Sequence, residues 1–368
     1  MNIHRRDFVA KALPGLAATG LLAGCSRPAE TLSAEGLPRV SWRMTSSFTR
    51  SLDILYGAVE YFAQRVSGLT GGRFTIRTYP AGELVPGLQV LDAVQQGTVQ
   101  IGQSASYYYT GKHDAFAFDT CVPFGLTTRQ QLAWLYQAGG LDLLRDIFSD
   151  FNIINFPAGS TGAQMGGWFR RDIHSLADLN GLKMRIPGIG GEVMSRLNVT
   201  VQVLSGADVY MALERGAIDA VEWVGPYDDE KLGFHNIVKN YYYPGWWEPG
   251  ATLSHYVNKT AWNRLPEPYQ AAIEIASADT CLWMTSAYDT RNPQALKRLI
   301  NHGVNLRRFP EDSLIQAEKL SFEVMEEKAA RNPAYAKIYH HWKAFRADVF
   351  PWFDIAENSY QSFAFPRV

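Results

Sequence analysis

Apolar residues recur along this chain with two periods, and their alternation predicts the layout before any chemistry enters. Val40-Ser41-Trp42-Arg43-Met44 alternates with period two and reads as a strand. Leu52, Leu55, Tyr56, Val59, Phe62, Ala63 and Val66 follow at helical spacing, and Gly68 closes that helix. A second strand, Arg73 to Tyr79, ends at Pro80-Ala81-Gly82. A helix from about Gly87 to Gln96 stops at Gly97, and Val99 to Gln103 gives a third strand. This β-α-β-α-β order predicts a parallel sheet with helices on its faces.

The same order returns later. Gly181 to Ile186 reads as a strand, with Leu182, Met184 and Ile186 on one side and Lys183 and Arg185 on the other. Pro187 to Gly191 turns the chain into a helix carrying Val193, Met194 and Leu197, and Val199 to Val203 is the next strand. Ser205 and Asp208 open a helix in capping-box fashion, Gly216 ends it, and Ile218 to Val224 is the last strand. Two such units predict an α/β fold of two lobes with a ligand cleft between them. We expect the first lobe over 40–153 and 250–300, the second over 154–249, and helices over 301–368. Helix stops are expected at Asn292-Pro293 and Asn332-Pro333.

The front end has a different character. Arg5-Arg6-Asp7-Phe8 is a twin-arginine pattern, followed by a weakly apolar stretch from about Ala12 to Ala23. That stretch is shorter than the roughly 20 apolar residues a membrane-spanning helix needs. Residues 1–24 therefore read as an export signal of the twin-arginine (Tat) type. Leu22-Ala23-Gly24-Cys25 looks like a bacterial lipobox, in which Cys25 takes the lipid. Residues 25–39, rich in Pro, Ser, Ala, Glu and Gly, then form a flexible tether. The expectation is a lipoprotein anchored to the membrane in the periplasm.

Charge narrows the partners. With 35 basic and 36 acidic side chains the net charge is -1, which gives no reason to expect nucleic acid. Cys121 and Cys281 remain beside Cys25; an oxidising compartment permits a bridge, and two buried thiols fit equally well. No C-x-x-C spacing is present.

Arg185 is the sharpest chemical candidate. It sits near the end of an expected strand, just before a Gly/Pro loop, where open α/β sheets bind their ligands. Its guanidinium is always charged, and its fork matches a carboxylate through two parallel hydrogen bonds. A structural ion pair is the competing use. Glu222 lies where the last strand ends, and a carboxylate there would repel a bound acid unless Arg185 or a cation intervened. Asp228 to Glu230 read as a solvated turn outside the site. Gln164, within the small-residue run from Thr161 to Gly167, offers a neutral oxygen. Glu248 ends an aromatic cluster that begins at Tyr241, and Tyr107-Tyr108-Tyr109 put phenols on a first-lobe loop.

Met184-Arg185, the stretch from Val221 to Phe234 and the run from Tyr241 to Glu248 resemble the DctP-like solute-binding components of tripartite ATP-independent periplasmic (TRAP) transporters, in particular their 2-oxo-acid-binding branch. The resemblance runs from about Val40 to Phe353 and implies a periplasmic-binding-protein-like fold. It implies that Arg185 pairs with the carboxylate of a 2-oxo or 2-hydroxy monocarboxylate. It also implies that Gln164, Glu222, the main-chain oxygen of Trp223 and Glu248 hold a metal ion, Na+ or Ca2+, that touches the ligand. Among the tyrosines it points first to Tyr108. A TRAP-type permease would be the partner, and a homodimer is left open. The lipobox departs from the freely released leader usual in that group. An enzyme acting on small acids is disfavoured, since no G-x-S-x-G, phosphate loop or H-E-x-x-H occurs. A lipid-anchored sensor of the same fold would need the same cleft and is not separated by sequence.

Overall fold

The computed structural model describes residues 36–367. The signal over 1–24, Cys25 and most of the tether lie outside the described residues. Strand β1 (Val40–Ser46) buries Trp42 and Met44 and exposes Ser41 and Arg43, as its alternation requires. Helix α1 (Gly57–Leu69) buries Val59, Phe62 and Val66 against it, and β2 (Phe74–Tyr79) returns parallel to β1. Helix α2 (Val90–Gln95) leads to β3 (Ile101–Ser104) on the other side of β1. Short α3 (Ala117–Thr120), α4 (Thr128–Gln137) and α5 (Gly140–Asp150) then precede β4 (Ile153–Ser160).

The second lobe starts with β5 (Trp168–Phe169) and β6 (Lys183–Arg185). Helix α6 (Gly188–Arg196), β7 (Thr200–Gln202), α7 (Gly206–Glu214) and β8 (Ala220–Val221) repeat the α/β pattern. Helix α8 (Pro226–Leu232) and β9 (Asn240–Tyr243) follow. The chain then returns through β10 (Thr252–Asn258) and short α9 (Lys259–Trp262) to the long α10 (Glu267–Asn301). Strand β11 (Asn305–Arg308), α11 (Glu311–Arg331), α12 (Pro333–Phe353) and α13 (Ser359–Ala364) complete it.

Two sheets result, in the orders β2-β1-β3-β10-β4 and β11-β9-β5-β8-β6-β7. This two-sheet α/β architecture is the one expected, with four differences. The first sheet is mixed, because β10 comes back from the second lobe and runs antiparallel to both β3 and β4. β4 carries the first lobe to Ser160, past the expected boundary at 153/154. The segment 301–368 is not all helix, since β11 pairs in parallel with β9. Finally, α10 runs through Pro293, where a stop was expected. A mid-helix proline costs about 3 kcal/mol. Packing of α10 on α1, β4 and α8 along its length outweighs that cost. The stop at Asn332 is present: its side chain accepts from the amides of Ala334 and Tyr335 and starts α12 afresh.

No helix among the described residues is long and apolar enough to cross a membrane.

Candidate functional site

Strand register builds the centre of the cleft. β6 and β8 are parallel neighbours with Arg185 opposite Val221, so the next residue, Glu222, emerges beside the guanidinium. The Glu222 amide donates to the Arg185 carbonyl at 3.0 Å, which fixes that offset. Arg185 Nη1 donates to Glu222 Oε2 and to the Glu222 carbonyl, both at 2.7 Å. Nε donates to the Leu204 carbonyl at 3.2 Å, and Nη2 to the Tyr108 hydroxyl at 3.3 Å. The Arg185 Cζ lies 4.7 Å from the Trp223 ring centre, a cation–π contact. Arg185 is 1% exposed and Glu222 is fully buried.

Two crossings between lobes deliver the remaining groups. In the first, the Gln164 amide donates to the Glu248 carbonyl and the Met165 amide to the Val224 carbonyl, each at 3.1 Å. This staples Gln164 to both acidic segments at once. In the second crossing Glu248 is buried, and Tyr107 donates its hydroxyl to Glu248 Oε2 at 3.3 Å. Tyr107 and Tyr108 sit on the turn Ser106–Tyr109 that follows β3, so the first lobe meets the second through two phenols. That turn is fixed by Thr120 Oγ1, which accepts from the Ser106 amide at 2.7 Å, and by the buried Asp119, which accepts from the Ser106 hydroxyl. Gly188 opens α6 at φ +64°, and a Cβ there would stand 3.3 Å from Tyr107. A side chain at that place would crowd Tyr107 and strain the left-handed backbone.

These groups line a small cavity of about 10 Å3. Its lining is polar at Arg185, Tyr107, Tyr108, Gln164 and Thr161 and apolar at Phe48, Leu55, Trp223, Val224 and Leu253. Of the residues expected from sequence, Arg185, Gln164, Tyr108, Trp223 and Glu222 converge here, with Glu248 behind Tyr107. Three were missed: Phe48, Leu55 and Leu253. Their signal was position alone, since Phe48 follows the end of β1 on the cleft side of the sheet. Tyr109 turns away and bonds Ser104 in the first lobe at 3.0 Å. Arg170 and Arg171, which follow β5, spend their guanidinium groups on the carbonyls of Leu213, Asp178 and Asn180.

One expectation is corrected outright. Asp228 and Asp229 are buried, not solvated, because α8 presses them against α10 and the second sheet. Asp228 accepts from Tyr288 at 2.7 Å; Asp229 accepts from Trp168 and Tyr241 at 2.9 and 2.7 Å. Cys121 and Cys281 are both free and buried.

Charge at the site is unbalanced. Burial, reinforced by the charge of Glu248, holds the Glu222 carboxyl well above its ordinary value, against the pull of Arg185. Burial likewise pushes Glu248 up to about 8, with Arg185 and Tyr107 opposing. Glu222 Oε1 and Gln164 Oε1 are buried oxygens without a hydrogen-bond partner. Two carboxylates and a neutral amide oxygen, all oxygen donors, fit a hard cation such as Na+ or Ca2+. Among the described residues no three His, Cys, Asp or Glu side chains converge, so such a site draws on neutral oxygens as well.

A family model described as bacterial extracellular solute-binding protein, family 7, matches residues 45–332. The chain belongs to this family. It is 54% identical to a monocarboxylate 2-oxoacid-binding periplasmic protein of Nostoc sp., over 98% of this chain and 99% of that one. Among solved structures of family members it is similar to a TRAP transporter solute-binding protein from Bordetella bronchiseptica. That likeness has 46% identity and a TM-score of 0.89, covering 90% of this chain and 98% of that one. The Bordetella protein is described as a mixed-occupancy dimer with copurified calcium and picolinate. A TRAP periplasmic solute-binding protein from Pseudoalteromonas atlantica, with bound sodium and pyruvate, matches at 37% identity and a TM-score of 0.86. It covers 88% of this chain and 99% of that one.

Proposed function

We propose that this chain captures a small 2-oxo or 2-hydroxy monocarboxylate, pyruvate- or lactate-like, together with Na+ or Ca2+. It hands the acid to a TRAP-type membrane permease. The observation that carries the reading is a buried guanidinium next to two buried, mutually repelling carboxylates in a cavity lined by both lobes. In this reading Arg185 Nη2 and the Tyr108 hydroxyl meet the ligand carboxylate, since Nη1 and Nε are already engaged. Gln164, Glu222, the Trp223 carbonyl and Glu248 would hold the cation. When bound, that ion supplies positive charge that offsets the two carboxylates and the acid. The small group on the acid's second carbon would lie against Phe48, Leu55, Val224 and Leu253. No second guanidinium faces that apolar side, which argues for one carboxylate rather than two.

The calcium and picolinate of the Bordetella relative, the sodium and pyruvate of the Pseudoalteromonas relative, and the Nostoc relative's name support this choice. The proposal places the mature protein in the periplasm, exported through its twin-arginine leader and anchored by lipid on Cys25. It includes a homodimer, supported by the exposed Trp352, Ile355, Tyr360, Phe363 and Phe365 near the C-terminus and by the dimeric Bordetella relative. Light scattering reading a monomer at micromolar concentration would remove that part.

A thermal-shift panel tests the ligand and the ion together. Pyruvate and lactate should raise the melting temperature, a chelator should lessen a Ca2+-dependent rise, and succinate should do little. A rise with succinate that matches pyruvate contradicts the reading.

A further inference from the structure

Arg185 is 1% exposed and Glu222 is fully buried, so an acid that pairs with Arg185 enters and leaves only when the lobes part. What resists that parting lies partly outside the cavity. Asp53, between β1 and α1 in the first lobe, accepts from Lys231 Nζ at 2.5 Å and from the Tyr227 hydroxyl at 2.9 Å, both on α8. Arg291 on α10 reaches the same carboxylate at 3.4 Å and the Tyr227 hydroxyl at 3.2 Å. Elsewhere in the first lobe, Asp114, just before α3, accepts from Lys328 of α11 at 2.5 Å. Lys328 also meets Glu192 of α6 at 2.9 Å, and its side chain is only 10% exposed.

The second cluster has a geometric consequence. Helix α11 packs on α6 of the second lobe, where Arg196 grips Glu327 through two bonds of 2.9 and 2.6 Å. Helix α12 packs on α4 and α5 of the first lobe. The α11–α12 hairpin therefore straddles both. Whichever lobe α11 follows on opening, Lys328 loses one of its two carboxylates. Asp53 loses Lys231 and Tyr227 in the same motion, because they ride on α8.

We propose that Asp53 and Asp114 are two ionic latches on the first lobe that hold the cleft shut, so the lifetime of the bound acid is set at the rim as well as in the cavity. This rests on the binding reading given above. A contact made only in the closed form stabilises that form and slows release without touching the ligand. Ion pairs whose carboxylate stays in reach of solvent are individually weak, so each latch should change the dissociation rate by about two- to fivefold, and the pair by roughly tenfold. Salt should weaken them, since neither is sealed from solvent.

The test is stopped-flow tryptophan fluorescence on the full chain, following release of pyruvate in the presence of calcium. Asp53→Asn and Asp114→Asn should each raise the dissociation rate, with association nearly unchanged. Wild type should release faster as salt rises from about 0.05 to 0.5 M, and the double variant should lose most of that dependence. Lys231→Gln should match Asp53→Asn, and combining the two should add little. Wild-type rates in both variants, with the salt dependence intact, overturn the latches while leaving the binding reading in place. A wild-type chain that binds neither pyruvate nor lactate overturns the binding reading, and the latches fall with it.

Discussion

Arg185 and Glu222 stand side by side because two parallel strands end in register, and that pairing makes both residues readable from sequence. A charged side chain near the end of an expected strand, before a Gly/Pro loop, is an anomaly that draws attention. Phe48, Leu55 and Leu253 carried no such mark, since an apolar residue lining a cavity is indistinguishable in sequence from one packed in the core. Asp228 was misread for the opposite reason: a run of acids looks solvated until α8 is docked. The apolar side makes its own prediction. Leu55→Ala should enlarge the space opposite Arg185 and favour acids with longer side chains. Relative affinity for 2-oxohexanoate over pyruvate should rise by about fourfold per methylene newly accommodated. Competition binding reads this ratio, and an unchanged ratio would take Leu55 off the ligand's path.

Among the elements, those announced by a clear period were legible: β1, β2, β6, α6 and α7 lie where the pattern put them, while α1 starts at Gly57 and leaves Leu52, Leu55 and Tyr56 before it. β4 and β10 were not, because both are almost wholly buried and show no alternation. Pro293 misled for a related reason, as the packing that carries α10 through it is tertiary and leaves no local trace. Helix α8 shows what such packing does to charge. Burial, opposed by the Tyr288 hydrogen bond, raises the Asp228 carboxyl from 3.8 to about 7. The folded state then holds this proton more tightly than the unfolded chain. Asp228 therefore contributes stability below about pH 4 that is lost as pH rises through 7. Asp228→Asn keeps an acceptor for Tyr288 and has no proton to lose. Its melting temperature should gain on wild type between pH 5 and pH 8, by the equivalent of about 2–4 kcal/mol. A difference that stays constant with pH contradicts the assignment.

For the whole molecule, sequence supplied two lobes, a cleft and a first lobe resumed near residue 250, and missed the last passage between them. It crosses after β4, returns at β10, and crosses again through α10, β11 and the α11–α12 hairpin. Non-local strand partners of this kind have no signature within a short window. The molecule's address is a separate matter, argued from the leader alone. If Cys25 carries the lipid, wild type should partition with membranes and Cys25→Ser should appear in the soluble periplasmic fraction. Equal distribution of the two would remove the anchor and leave the cleft untouched.

The account stands on Arg185 as the group that holds the acid. Isothermal titration calorimetry of pyruvate into the wild-type chain and Arg185→Ala, each with calcium, tests this most directly. One acid per chain should bind to wild type, and the variant should lose about a hundredfold in affinity, the size expected for a charge-assisted contact in a buried site. Equal affinities for the two chains would contradict it.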